Sequence, residues 1–231
     1  MATLTQETIE LESNGSRLTA LVVRPEGDEP LPGVVQIQEW WGIEPHVVDV
    51  AHRLAAEGYV VLVPDLYHGK IVTEPDEAQK AVMTLGGNID RAVREIELGI
   101  QALKSRPDVQ PKHIGVMGFC VGGMLTWQVA LRSEGVGAAV PWYAGGFDPT
   151  PEQLAGLHVP VLAIFGGKDP STPKATVEKI TAALKEKPAS NALLYPEAGH
   201  AFLNPAHGAL HEASAKDAWP KAVAFLKDHL Q

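Results

Sequence analysis

The chain has 231 residues, 45% hydrophobic and 20% charged, and its 28 acidic against 19 basic side chains give a net charge of −9. That balance leaves no basic face, so neither nucleic acid nor an anionic membrane is expected as a partner. The length suits one domain over residues 1–231 that buries its own core, and a single cysteine, Cys120, excludes an intrachain disulfide.

The stretch up to Arg17 is polar and has no apolar segment of the signal-peptide kind. No apolar run approaches the roughly 18 residues that span a bilayer, so a cytoplasmic address is expected. Leu18–Val23 is a β-like run closed by Arg24-Pro25, and Gly33–Ile37 is short and apolar, as a buried strand would be. Residues 46–57 carry Val47, Val50, Ala51 and Leu54 at helical spacing, and Gly58 ends them. Tyr59–Val63 reads as a strand before Pro64. Glu74–Leu85 and Ile89–Lys104 read as helices, the second with a stripe of Ile89, Val93, Ile96, Ile100 and Leu103. His113–Met117 is a strand and Val121–Leu131 a helix. Ala138–Trp142 and Val161–Phe165 are buried strands, Thr172–Leu184 a helix, Ala192–Tyr195 a strand, and Asp217–Leu230 a closing helix.

Strands alternating with helices, in β-branched runs without polar alternation, predict an α/β fold. Its sheet is mostly parallel, with helices on both faces, an opening antiparallel edge strand and no separate lid domain. Ligands of such sheets sit at the carboxyl ends of the strands.

Just after the strand ending at Met117 comes Gly118-Phe119-Cys120-Val121-Gly122-Gly123. This matches the G-x-nucleophile-x-G elbow of a strand–turn–helix unit, with cysteine as nucleophile. Glycines on both sides remove side chains that would clash in so sharp a turn. The helix that follows points its positive end at the sulfur, which favours a thiolate, and the Val121 amide is a natural oxyanion donor. A buried structural thiol is the plain alternative for a lone cysteine. Asp169 follows a strand in Gly166-Gly167-Lys168-Asp169-Pro170, and His200 follows another in Glu197-Ala198-Gly199-His200-Ala201-Phe202. The order nucleophile, acid, base is that of α/β-hydrolases, with His200 moving the proton and Asp169 fixing its tautomer. His207 and His211 stand four apart, but no carboxylate or third histidine completes a metal site, and no metal or other cofactor is expected.

The elbow, the loops of Asp169 and His200, and two further segments, Gln38-Glu39-Trp40-Trp41-Gly42 and Val63-Pro64-Asp65-Leu66-Tyr67, make the chain resemble the dienelactone hydrolase family of the α/β-hydrolase superfamily. The resemblance spans essentially the whole domain. It implies that Glu39 sits beside the nucleophile and helps to activate it, the thiolate swinging toward the base when substrate binds. The residues agree: Glu39 lies in the loop that supplies a second oxyanion amide, from Trp40, where a carboxylate suits proton acceptance or gating better than oxyanion binding. Trp41, Phe119, Tyr143 and Phe202, with Trp40 and Trp142, stand at strand ends and are expected to line an apolar pocket, with core packing as the alternative.

The resemblance also implies arginines that clamp a substrate carboxylate, one of them four residues after the catalytic histidine. Here that position is Asn204, and Glu74–Leu85 offers Lys80 but no arginine. Asparagine cannot replace a forked guanidinium, so a neutral or differently shaped ester or lactone fits at least as well as a dienelactone. The expected activity is hydrolysis of a small-molecule carboxylic ester or lactone by a monomer or small homo-oligomer. A general carboxylesterase or thioesterase stays open, as does a redox-sensing or ligand-binding protein on the same fold.

Overall fold

The computed structural model describes residues 3–13 and 16–231. Eight strands form one sheet in the order β1-β2-β4-β3-β5-β6-β7-β8. They are β1 (Leu4–Ser13), β2 (Ser16–Pro25), β3 (Gly33–Ile37), β4 (Val60–Pro64), β5 (Ile114–Phe119), β6 (Val136–Trp142), β7 (Leu162–Gly166) and β8 (Asn191–Tyr195). β1 and β2 pair antiparallel, β2 pairs antiparallel with β4, and every pairing from β4 to β8 is parallel. β3, β4 and β5 are buried at every position, which is why their sequences run apolar without alternation.

Two helices, α1 (Pro45–Ala56) and α7 (Glu212–Leu230), cover one face; α3 (Ile89–Ser105), α4 (Val121–Arg132) and α6 (Lys174–Lys185) cover the other. The predicted stripes are the buried ones: Val47, Val50, Ala51 and Leu54 in α1, and Val93, Ile96, Ile100 and Leu103 in α3. α2 (Pro75–Gly86) lies shallower, with only Ala78 and Leu85 buried. This is the mostly parallel α/β arrangement, with helices on both faces, that the alternation of elements predicts.

Three details depart from the expectation. The Leu18–Val23 strand is antiparallel but not the edge, because β1 pairs outside it along its whole length. Ile9 and Leu11 of β1 turn inward while Glu10 and Glu12 stay exposed, the half-buried pattern of an edge strand. A short helix, α5 (Pro151–Ala155), is fixed by a capping box in which the Thr150 side chain accepts from the Gln153 amide and Gln153 reaches back. The closing helix starts at Glu212 rather than Asp217, because His211 Nδ1 accepts from the Ser214 amide at 3.3 Å and caps it. Among the described residues no helix is long and apolar enough to cross a membrane.

Candidate active site

β5 delivers the chain to Cys120 in a backbone conformation few residues adopt, φ 57° and ψ −118°. Strain of this kind persists only where the surroundings enforce it. A Cβ on Gly118 would lie 2.2 Å from the Gly122 carbonyl oxygen, and one on Gly122 would lie 2.4 Å from that of Gln38. The two glycines therefore let the elbow close on itself and let the Gln38–Gly42 loop come against it. The Cys120 amide donates to the Trp142 carbonyl at 3.2 Å, tying the turn to β6, and α4 starts at the next residue with its positive end toward the sulfur.

Asp169 and His200 meet at the same rim. Asp169 Oδ2 lies 2.8 Å from His200 Nδ1. Ser171, two residues beyond Asp169, donates to Asp169 Oδ1 from both its hydroxyl (2.6 Å) and its amide (2.8 Å), and its Oγ lies 3.0 Å from His200 Nδ1. The Asp169 side chain is 1% exposed and that of His200 29%, so one is sealed while the other reaches solvent. Burial pushes the Asp169 carboxyl up, but the bonds from His200 and Ser171 outweigh it and hold the group below its ordinary value. Burial likewise works against a charged His200. The bond to Asp169 and the influence of nearby Cys120, with the charges of both, prevail and raise the imidazole to about 10. With Nδ1 turned to Asp169, Nε2 is the nitrogen left for the sulfur.

Glu39 occupies a second, drier compartment. It is 2% exposed; its Oε1 accepts from the Tyr143 hydroxyl at 3.0 Å and its Oε2 from Asn204 Nδ2 at 2.7 Å. The Asn204 amide is locked in orientation, since its Oδ1 accepts from the Ala206 amide at 2.8 Å while its Nδ2 also approaches Glu44 Oε1 at 3.4 Å. The loop is held from β4's side: the Leu66 amide donates to Gln38 Oε1 at 3.2 Å, and the Tyr67 hydroxyl to the Trp40 carbonyl at 3.1 Å. Burial raises the Glu39 pKa, with the Glu44 charge adding to it, against the bonds from Asn204 and Tyr143 and the charge of His200. Burial and the Glu39 charge together push Tyr143 well above its ordinary value, so its hydroxyl stays a donor.

A cavity of about 690 Å³ opens over Cys120 and His200, with Val121 and Trp40 in its lining. The two residues expected to supply oxyanion amides thus line the same cavity as Cys120. The rest of the wall corrects the expected pocket. Trp41, Phe119, Tyr143 and Phe202 do not line the cavity; all four are buried. Phe119, Tyr143 and Phe202 pack with Trp142 in the core between the sheet and α1 and α7, with ring centroids 5.5 to 6.2 Å apart, while Trp41 lies edge-on to Trp40 at 4.8 Å. Of these rings, Tyr143 also stands edge-on to the His200 ring, with centroids 5.4 Å apart, and so packs beneath the base rather than in the cavity wall. The cavity wall comes instead from helices and a loop: Val82 of α2, Ile89 of α3, Met124 of α4, and Phe147 after β6. In sequence these read as ordinary apolar positions. Asn204 is turned into the Glu39 compartment. The His207 side chain lies outside the described residues, and among those described no cluster of three or more His, Cys, Asp or Glu side chains suits a metal. The only sequence signal for Ser171 is Asp-x-Ser in a loop, the pattern of a side-chain-bonded turn.

Comparison with known proteins identifies the family. The model of a family described as "Dienelactone hydrolase family" matches residues 18–230. A protein of Escherichia coli (strain K12) named "Putative carboxymethylenebutenolidase" is 31% identical over 233 residues, covering 95% of this chain and 85% of its own. The solved structure of a "Putative Dienelactone Hydrolase" from Klebsiella pneumoniae is 30% identical, with a TM-score of 0.79 over 97% of this chain and 99% of that one. A dienelactone hydrolase-like promiscuous phosphotriesterase from metagenomic libraries shares the fold at 21% identity, with a TM-score of 0.89 over 100% of both chains.

Proposed function

The chain belongs to the dienelactone hydrolase family, and from that premise we propose that it hydrolyses a small carboxylic ester or lactone through a thioester on Cys120. One observation carries the reading: His200, hydrogen-bonded to Asp169 at 2.8 Å, lines the same open cavity as Cys120, a cysteine held at φ 57° in a strand-to-helix elbow. That is the nucleophile–base–orienter geometry of acyl transfer.

An imidazole raised to about 10 is protonated at neutral pH. The first step is attack by the Cys120 sulfur, as thiolate, on the carbonyl carbon. The amides of Val121 and Trp40 receive the oxyanion, each such donor worth about 3 kcal/mol. As the tetrahedral species collapses, the bond to the leaving oxygen breaks, and that oxygen takes the proton from His200 Nε2. Acylation then removes the charge on the sulfur. The influence of Cys120 that helps to raise His200 vanishes with it. The neutral imidazole becomes the base for the second step: water adds to the thioester, His200 takes its proton, and the carbon–sulfur bond breaks to release acid and thiolate. Asp169 keeps Nδ1 protonated throughout. Glu39, made more basic by burial, serves as a further proton acceptor beside the elbow.

A panel of aryl and enol esters compared between wild type and Cys120→Ala tests this. We expect kcat/KM to fall on the order of 10³-fold or more. Equal rates would remove Cys120 from the mechanism.

A further inference from the structure

The cavity over Cys120 carries almost no positive charge. Trp40, Val82, Ile89, Met124 and Phe147 make its apolar wall, and the polar side chains Gln128 and Gln153 are neutral amides. Among the described residues lining it, none is lysine or arginine. The one carboxylate in the lining, Asp148, holds Thr176 Oγ1 at 2.9 Å and Lys179 Nζ at 2.5 Å, so the nearby lysine is already engaged. His200 is committed to Asp169 through Nδ1, and Asn204 is sealed against Glu39.

Cations exist close by, on the other side of α2. A separate cavity of about 280 Å³ has His68, Lys70 and Arg91 in its lining. Ala81, Thr84 and Leu85 of α2 face that cavity, whereas Val82 and Gly86 face the catalytic one. The helix partitions positive charge away from the sulfur. A substrate carboxylate entering the catalytic cavity would lose water without gaining a charged partner, which is costly for an ion.

We propose that the site selects esters or lactones with an uncharged, largely apolar acyl part and discriminates against those bearing a carboxylate. This rests on the reading that the Cys120 cavity is the hydrolytic site. The test uses two esters with the same chain and leaving group: 4-nitrophenyl hydrogen glutarate and its methyl-capped counterpart, 4-nitrophenyl methyl glutarate, each normalised to its rate with hydroxide. Wild type is expected to favour the capped ester by about 100-fold in kcat/KM. Gln128→Arg and Val82→Arg each place a cation in the wall and are expected to shift that ratio about tenfold toward the anionic ester. Equal rates on the two esters, or a preference for the anion, would overturn the inference while leaving the hydrolase reading intact. An unchanged ratio in both variants would overturn the assignment of this wall. Absence of turnover on both esters would remove the hydrolase reading, and this inference with it.

Discussion

Asp169 and Glu39 are both buried carboxylates beside the Cys120 elbow, and their surroundings drive them in opposite directions. Asp169 faces an imidazole that carries positive charge, and a serine that donates twice to one oxygen; burial is outweighed and its pKa falls. Glu39 faces two neutral donors, Tyr143 and Asn204, and a second carboxylate, Glu44; burial wins and its pKa rises. Two acids of like chemistry whose environments separate their affinities for protons are suited to different tasks. The one kept ionised is suited to orienting His200, and the one kept basic is fit to accept a proton.

The contrast carries a pH signature for stability. Asp169 contributes stability that is present above its unfolded pKa and lost as pH falls through its lower folded value. Glu39 has the opposite sign: its contribution is full below the unfolded pKa and is lost as pH rises through the higher folded one. His200 follows Glu39 in sign, its contribution full below its ordinary 6.5 and lost as pH rises toward about 10.

Substitution sharpens the comparison. The largest difference is expected between Asp169→Asn and Glu39→Gln, both nearly isosteric. An amide at 169 can donate to Nδ1 and turn the imidazole to the wrong tautomer, lowering kcat by about 10³- to 10⁴-fold. At 39 the loss is of a proton acceptor, about 10²-fold. Steady-state kinetics on one aryl ester separates them, and equal losses would break the division of roles. Asn204→Leu comes next. It removes a donor from Glu39 Oε2 and Glu44 Oε1, so urea unfolding should show a loss of about 1–3 kcal/mol. The lost bond favoured the ionised form, so Glu39 should titrate at higher pH and the acid limb of kcat/KM should move up with it; a downward move would contradict the assignment. Ser171→Ala should be smallest, a fall in kcat of between about two- and tenfold, because Asp169 keeps the Ser171 amide and His200.

The residues legible in sequence were those whose signal is local. The glycines around Cys120 are demanded by one turn, and Asp169 and His200 each follow a recognisable strand. Their companions were not, because their roles depend on direction across the fold. Asn204 and Tyr143 converge on Glu39 from separations of 165 and 104 residues. Phe119 and Phe202 stand at the rim in sequence but point into the core between the sheet and α1 and α7, while Val82 and Met124 sit mid-helix yet border the cavity. The sheet was legible except at its edge. β1 alternates Ile9 and Leu11 with glutamates, a period-two signal masked by the polarity of the segment around it.

Everything in this account depends on a covalent bond to one sulfur. Rapid acid quench during turnover of a slowly hydrolysed aryl ester, followed by peptide mass spectrometry, reads that bond directly. The account predicts the acyl mass on the peptide bearing Cys120, absent when iodoacetamide has blocked the thiol beforehand. Sustained turnover with Cys120 unmodified at every time point would contradict it.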